Sequence, residues 1–562
     1  MKKLIVKLLG NILKKNLKKE EIEKLIEIPP SLEMGDYSFP CFILAKKLKK
    51  NPNQIAEELK EKIKSKDFEK IESSGPYINF FVKKLKLAEN TIKEILTKKE
   101  NFGKTNIGKG KKIMLEFSQP NTHKAFHVGH IRGTSLGESL SRIFEFCNNK
   151  VIRANYSGDT GMHIAKWIWC YKKYHSKEKL KNDESWIASI YVDAVKKLGT
   201  NEEFQEEVNI INQKIESKED KEINQLWEKT RKLSVESWKN IYKELNTKFD
   251  VHYFESEVKK RGREISNELV KKGIAKKSQG AVIMDLEKYN LGIWVLLRKD
   301  GTVLYSGKDL ALLEKKSKKF KNIERNIYVI ANEQDLHMKQ FFKTIELMKS
   351  KSVSKSKHIN YGMVRLPTGK MSSRTGENIL YSDFMKEMIE YTRKQIKKKD
   401  DKISKHELEK RALIISIAAV KYSMLKQSSG KNIIFQKEDV LNFEGNTGAY
   451  LLYSYARASS ILRKVKNKKD KSKTLKLELK EIELIKKLSE FQDVVLNSYK
   501  NLNPSLIANY SYQLAQIFNE FYHSCQVIGS SQKTFRIKLV RSFKQVLKNS
   551  LYLLGIEIIE EM

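Results

Sequence analysis

The chain has 562 residues, of which 109 are Lys or Arg and 69 are Asp or Glu, a formal net charge of +40 at pH 7. That length is enough for three or four domains at about 100–200 residues each, and 40% hydrophobic residues with only 8 Pro exclude a collagenous or disordered chain. The charge favours a polyanionic partner, nucleic acid first and an anionic membrane second. Only 16 of the basic residues are Arg, and the lysines are spread along the chain, so part of the excess reads as compositional background.

No apolar run approaches the roughly 20 residues that span a bilayer. The first 21 residues read as an amphipathic helix without a cleavage site, which points to a cytoplasmic protein. Cys41, Cys147, Cys170 and Cys525 form no C-x-x-C pair. Their spacing argues against a disulfide framework and a zinc knuckle, and no metal site is expected.

In chain order, residues 55–64 have helical periodicity, and 77–82 read as a strand after the turn 73–76. Residues 105–112 are polar and Gly-rich, placing a domain boundary near 106. A strand at 113–117, a polar loop, a helix with Ile131, Leu136, Leu140 and Ile143 at helical spacing, and a strand at 151–155 make a βαβ unit. Such a unit starts an open parallel sheet. Residues from about 162 to 275 read as a helical insertion holding Trp167, Trp169, Trp186 and Trp227. Strand patterns at 281–284, 294–297, 303–305 and 327–330 then suggest that the sheet is split in sequence. Beyond about 385, amphipathic helices dominate, at 413–424, 450–464 and 506–526, and the Lys-rich run 464–473 reads as a solvated loop or helix end.

His127 and His130, with Gly129 between them, stand where the first strand of the βαβ unit gives way to its helix. Ligands in open α/β sheets bind outside the carboxyl ends of strands, and the free N–H groups of a helix start favour phosphate. On the triplet alone an ordinary polar pair or a metal site stays open, but H-x-x-H is not the i, i+4 spacing of zinc-binding helices. The longer string is more specific. Ser118-Gln-Pro-Asn-Thr-His-Lys-Ala-Phe-His-Val-Gly-His-Ile-Arg132, followed by Gly158-Asp-Thr-Gly161, resembles the arginyl-tRNA synthetases, and His127-Val-Gly-His130 resembles the HIGH signature of class I aminoacyl-tRNA synthetases. Lys370-Met-Ser-Ser-Arg374, on a Gly/Ser/Thr-rich loop, is similar to the KMSKS loop of that class, with Ser373 in place of the second lysine. Lys124, just upstream of the histidines, stands where the resemblance implies a substitute.

The resemblance covers essentially the whole chain. It implies a Rossmann-like α/β class I catalytic domain with a helical insertion at 107–384, a small α+β tRNA-binding domain at 1–106, and an all-α anticodon-binding domain at 385–562. It implies an ATP-dependent ligase that forms arginyl-adenylate and passes it to the terminal ribose of tRNA(Arg), with activation requiring bound tRNA. Substrates and partners are then L-arginine, ATP with its Mg²⁺, and tRNA(Arg), without a membrane and with the chain acting as a monomer.

By the same resemblance His127, His130, Lys370 and Lys124 are catalytic, and Gly129, Met371, Ser372 and Ser373 join His127, His130 and Lys370 in binding ATP. The arginine pocket takes Glu116, Ser118, Asn121, His130, Tyr305, Asp309 and Gln334, with Asp309 facing the guanidinium. Lys46, Lys47, Tyr453 and Arg457 are candidate tRNA contacts. The chain departs from the family in Gly307-Lys308, where Thr-Arg is usual, and in Thr160 and His163, where Trp and Gln are usual. Two other readings are a class I synthetase for a different amino acid and a nucleic-acid binder that has lost the chemistry.

Overall fold

The computed structural model describes residues 2–14, 16–199, 203–352, 355–365, 380–465 and 475–562. Internal packing divides the chain into two compact units, one made of 1–98, 467–489 and 520–542, the other of 99–466, 490–519 and 543–562.

The first unit holds a three-stranded antiparallel sheet in the order Tyr37–Pro40, Tyr77–Val82, Phe68–Ser74. The 73–76 turn closes a hairpin in which Gly75 takes a φ of +55°. Strand alternation sends Phe80 into the core, while Phe81 is half-buried under the Lys70 ammonium. Apolar faces of the helices Lys2–Ile12 and Pro52–Lys62 supply Ile5, Leu9, Ile55 and Leu59 to the same core.

The second unit is built on a five-stranded parallel sheet in the order Ser356–Tyr361, Ile323–Ala331, Lys112–Glu116, Lys150–Ser157, Val251–Phe254. Strand order reverses between Lys112–Glu116 and Ile323–Ala331, which pair from Lys112 to Glu116. The crevice outside the carboxyl ends of those two strands is the switch point, where open α/β sheets hold their ligands. Helix Val128–Phe146 packs so closely on the strand end that a Cβ at Gly137 would lie 2.1 Å from Phe117. Its Arg132 is fully buried and donates to the carbonyls of Gly362 (2.6 Å), Ser429 (2.8 Å) and Lys431 (2.6 Å).

The βαβ reading and the helical insertion are present, but the later strands are not where periodicity alone put them. Ala281–Asp285 and Ile293–Leu297 join Lys276–Ser278 in a separate antiparallel sheet. Val303 only bridges Leu297, and Tyr305 begins a helix, Tyr305–Lys319. The main sheet instead recruits Val251–Phe254, inside the expected helical insertion, and Ser356–Tyr361. Both are short, mixed sequences, VHYF and SKHINY, with no apolar run to mark them.

The insertion's helices Met162–Tyr174, Glu184–Leu198, Glu203–Ser217 and Lys221–Glu244 close on a core containing Trp167, Trp169, Trp186 and Trp227. Farther on, Lys405–Leu425 is not amphipathic as expected. Every residue from Ile415 to Leu425 is buried, including Lys421 and Tyr422, whose polar ends are satisfied by the carbonyls of Leu245, Gly555 and Ala508. A two-residue strand, Ile433–Ile434, pairs with Val364–Arg365 in the region expected to be wholly helical. The run 464–473 falls mostly outside the described residues.

Candidate active site

His127 is the N-cap of helix Val128–Phe146. Its Nδ1 accepts the Gly129 N–H at 3.1 Å, and His130 Nδ1 accepts the His127 N–H at 3.1 Å. The two rings lie 3.8 Å apart, and a Cβ at Gly129 would come within 2.9 Å of His127 Cε1, so only glycine fits beneath that ring. With both Nδ1 atoms accepting, each neutral ring carries its proton on Nε2 and can donate there. Burial, followed by the nearby Lys124, pushes His127 down to about 4. Burial, then His127 and Lys124, holds His130 well below the ordinary histidine value.

Both histidines and Lys124 line a cavity of about 790 Å³, together with Asn121, Tyr191, Gln334 and Asp383. The Lys124 ammonium lies 5.4 Å from the Tyr191 ring centre, and burial, with Lys166 nearby, lowers its pKa. Upstream, the loop from Phe117 to Phe126 is irregular, with Ser118, Gln119 and His123 all at positive φ. It is held from outside: His123 N–H donates to Ser234 Oγ at 3.1 Å, and Phe126 N–H donates to Glu184 Oε1 at 3.1 Å.

A smaller cavity of about 160 Å³ lies at the switch point, lined by Glu116, Asn121, Tyr305, Asp309 and Gln334 among others. It shares Asn121 and Gln334 with the larger cavity. Tyr305, Asp309, Leu312 and Lys316 fall on one stripe of helix Tyr305–Lys319 and line it together. Asp309 Oδ2 receives a 2.6 Å hydrogen bond from His337 Nε2, and the half-exposed Tyr305 ring sits 4.5 Å from that imidazole. Asn121 Oδ1 accepts the Gly158 N–H at 3.1 Å, which turns its amide nitrogen toward the cavities. The Glu116 carboxylate is ion-paired with buried Lys316 and also accepts from Gln119 Nε2 at 3.0 Å.

Five of the seven expected arginine contacts thus line one pocket, and a sixth, His130, lines the adjoining cavity. Ser118 lies behind them: its buried hydroxyl is 2.9 Å from Tyr242 Oη and accepts from Thr134 Oγ1 at 2.8 Å. Asp159, in the Gly158–Gly161 string, is fully buried and binds Arg231 (2.9 Å) and Ser256. Lys370, Met371, Ser372 and Ser373 lie outside the described residues. Lys46 is exposed, and Lys47 donates to the Asn16 carbonyl at 2.8 Å. Arg457 donates to Asn519 Oδ1 (2.6 Å) and to Tyr453 Oη (2.9 Å), so these two candidates already bond to each other and to a neighbouring helix.

The pocket also contains residues that the sequence reading passed over: His337, Lys316, Gln119, Glu255 and Tyr156. His337 stood three residues from Gln334 on the same short string, a spacing that puts both near one helix start. Lys316, one lysine among many, gave no signal.

A parallel sheet with this switch-point crevice and a histidine-capped helix beside it is the frame of a class I tRNA synthetase catalytic domain. The family model described as tRNA synthetases class I (R), catalytic domain, matches residues 91–437. The arginyl tRNA synthetase N-terminal domain matches 1–82, and the DALR anticodon binding domain matches 451–562. The chain belongs to the arginyl-tRNA synthetase family. It is 38% identical over 548 residues to an arginine–tRNA ligase of Clostridium acetobutylicum, covering 97% of each chain. It is also 38% identical to that of Clostridium perfringens, again covering 97% of each. The structure of Thermus thermophilus arginyl-tRNA synthetase shares its fold, with a TM-score of 0.83 at 23% identity over 100% of both chains.

Among the described residues no helix is long and apolar enough to cross a membrane. All four cysteines are free and buried.

Proposed function

We propose that the protein joins L-arginine to tRNA(Arg) in two steps. The arginine carboxylate attacks the α-phosphorus of ATP, the bond to the β-phosphate breaks, and pyrophosphate leaves. A ribose hydroxyl at the tRNA 3′ end then attacks the activated carbonyl, and AMP leaves.

The observation that carries this reading is the join between the two cavities. Asp309 gives the small pocket a carboxylate suited to a planar, five-donor guanidinium. Asn121 and Gln334 stand at the boundary with the larger cavity, and an arginine bound by Asp309 directs its carboxylate there. His127 and His130 then donate from Nε2 to the phosphates, and Lys124 adds positive charge. Glu116, already paired with Lys316, keeps lone pairs for the α-ammonium. Ser118 acts by fixing the loop. The chemistry needs no covalent enzyme intermediate, only positioning and charge stabilisation.

ATP enters as its Mg²⁺ complex, the metal carried by the phosphates. We assign Gly129, Lys370, Met371, Ser372 and Ser373 to ATP and its departing pyrophosphate. Lys46, Lys47, Tyr453 and Arg457 are assigned to tRNA, under a working division into 1–106, 107–384 and 385–562. The protein acts in the cytoplasm as a monomer, which sedimentation of the full chain checks.

Aminoacylation with a panel of amino acids tests the reading: arginine alone is charged, and charging of another amino acid overturns it. ATP–pyrophosphate exchange requires tRNA. Full exchange without it removes the tRNA dependence while leaving the ligase intact.

A further inference from the structure

The helical insertion carries a second group of reactive side chains at the wall of the larger cavity, which Asp193 also lines, and the aminoacylation steps above assign no role to them. Cys170 lies in helix Met162–Tyr174 and His175 is its C-cap, while Asp193 comes from the next helix, Glu184–Leu198. One ligand atom from each lies within 4.8 Å of the other two. We propose that Cys170, His175 and Asp193 bind one divalent transition-metal ion of the zinc class, which ties the two helices together.

The geometry is close to that of a bound ion. Asp193 Oδ2 lies 3.4 Å from Cys170 Sγ and 3.0 Å from His175 Nε2. Ligands at about 2.0–2.3 Å from a tetrahedral zinc are separated from one another by about 3.3–3.8 Å, so the cluster needs only small shifts. Thiolate and carboxylate together balance a 2+ ion, and sulfur with imidazole selects zinc over magnesium or calcium.

The surroundings are those of a metal-bound histidine. His175 Nδ1 lies 2.6 Å from Glu178 Oε1, and Glu178 Oε2 is itself held by Trp186 Nε1 at 2.8 Å. That chain orients the ring and leaves Nε2 for the ion, the carboxylate–histidine arrangement that supports zinc ligands. Lys197 lies 3.9 Å from Asp193 Oδ1, on the oxygen that does not face the cluster. Cys170 is buried, whereas the His175 and Asp193 side chains are 22% and 33% exposed, which gives water access to a fourth coordination position. Binding forms a metal–sulfur bond and breaks the thiol S–H bond, and the proton leaves to solvent. The ligands come from a helix end and a second helix, so no C-x-x-C spacing announced them.

The test uses the full chain, stripped of metal by a chelator, with Zn²⁺ alone titrated by calorimetry and Co²⁺ followed by absorbance. One equivalent of Zn²⁺ binds, and Co²⁺ gives a thiolate charge-transfer band. Cys170→Ser abolishes that band and His175→Gln removes the binding, while Glu178→Gln weakens it by about 10–100-fold. Circular dichroism and retained arginine charging by Cys170→Ser show that the loss is not unfolding. Absence of Zn²⁺ binding by the wild type, a Co²⁺ spectrum without the sulfur band, or unchanged stoichiometry in both ligand variants overturns the proposal. The cluster is then a histidine held between two carboxylates.

Discussion

His337 donates from Nε2 to Asp309 Oδ2 across 2.6 Å, because its Nδ1 accepts the indole N–H of Trp294 at 3.1 Å. An imidazole that accepts at one nitrogen and donates at the other is neutral, so Asp309 keeps its full negative charge. The other carboxylates of the pocket are balanced: Glu116 pairs with Lys316, and Glu255 with Lys308. Among the described groups lining it, the pocket therefore carries one uncompensated charge, which matches a ligand with one cationic side chain.

Asp309→Asn keeps the shape and removes that charge. Stranding a desolvated guanidinium costs about 2–5 kcal/mol, so the KM for arginine rises by roughly 30-fold or more. Replacing His337 by Leu leaves the charge but frees the carboxylate to rotate, and the rise is smaller, about 10-fold. Steady-state kinetics at saturating ATP and tRNA check both. An unchanged KM in Asp309→Asn removes this residue from the arginine site.

The Glu116–Lys316 pair makes a separate prediction about stability. Both side chains are almost wholly buried. Lys316→Met leaves a carboxylate in the interior without its partner, at a cost of about 3–5 kcal/mol. Removing both charges, with Glu116→Gln added, restores most of that loss, since the penalty comes from the stranded charge rather than from the missing contact. Denaturant unfolding of the single and double variants measures it. Equal loss in the two contradicts this account of the pair.

Glu184 joins three segments. It accepts the Phe126 N–H at 3.1 Å, one residue before His127, and receives the Ser382 hydroxyl at 2.8 Å from the start of helix Tyr381–Lys399. Burial pushes its carboxyl up to about 7, with Asp183 and Asp383 adding to the rise. A folded pKa above the unfolded one means that its contribution to stability is complete below about pH 4.5 and is lost progressively as the pH rises to about 7. Glu184→Gln, which mimics the protonated acid and keeps an acceptor for Phe126, flattens the stability profile between about pH 4.5 and 7. Glu184→Ala, with no acceptor, lowers kcat through the displaced His127 cap. Equal pH profiles in wild type and Glu184→Gln contradict the assignment.

Much of the site was legible in the sequence, for a physical reason. His127, Gly129 and His130 sit at a helix start, and cap chemistry is local, so a short string specifies it. Asp309 and Tyr305 were reached only through the resemblance, because 303–305 read as a strand, whereas Tyr305 starts the helix that sets the two on one stripe. Lys316 was not legible, because its partner Glu116 is 200 residues away and nothing nearby distinguishes it from its many exposed neighbours. The edge strands at 251–254 and 356–361 were missed because an edge position needs little hydrophobicity, and the 281–297 segments were misplaced because periodicity reports burial, not which sheet a strand joins.

The histidine cap fixes the response to acid. A protonated ring cannot accept at Nδ1, so charging His127 breaks its bond to Gly129, and charging His130 breaks the bond from His127. His127 falls from the ordinary 6.5 to about 4 when folded. The unfolded chain then binds more protons between those values. Stability is unaffected above about pH 6.5 and declines as the pH falls toward 4, by at most about 1.4 kcal/mol per pH unit for each histidine. His127→Asn keeps a good N-cap that does not titrate, so its unfolding free energy falls less steeply over the same interval. Denaturant unfolding at pH 7.5, 6 and 5 compares the two slopes, and identical slopes remove His127 as a titrating group. The KM for ATP stays flat from about pH 6.5 to 8 as far as these rings are concerned, because both are already neutral there.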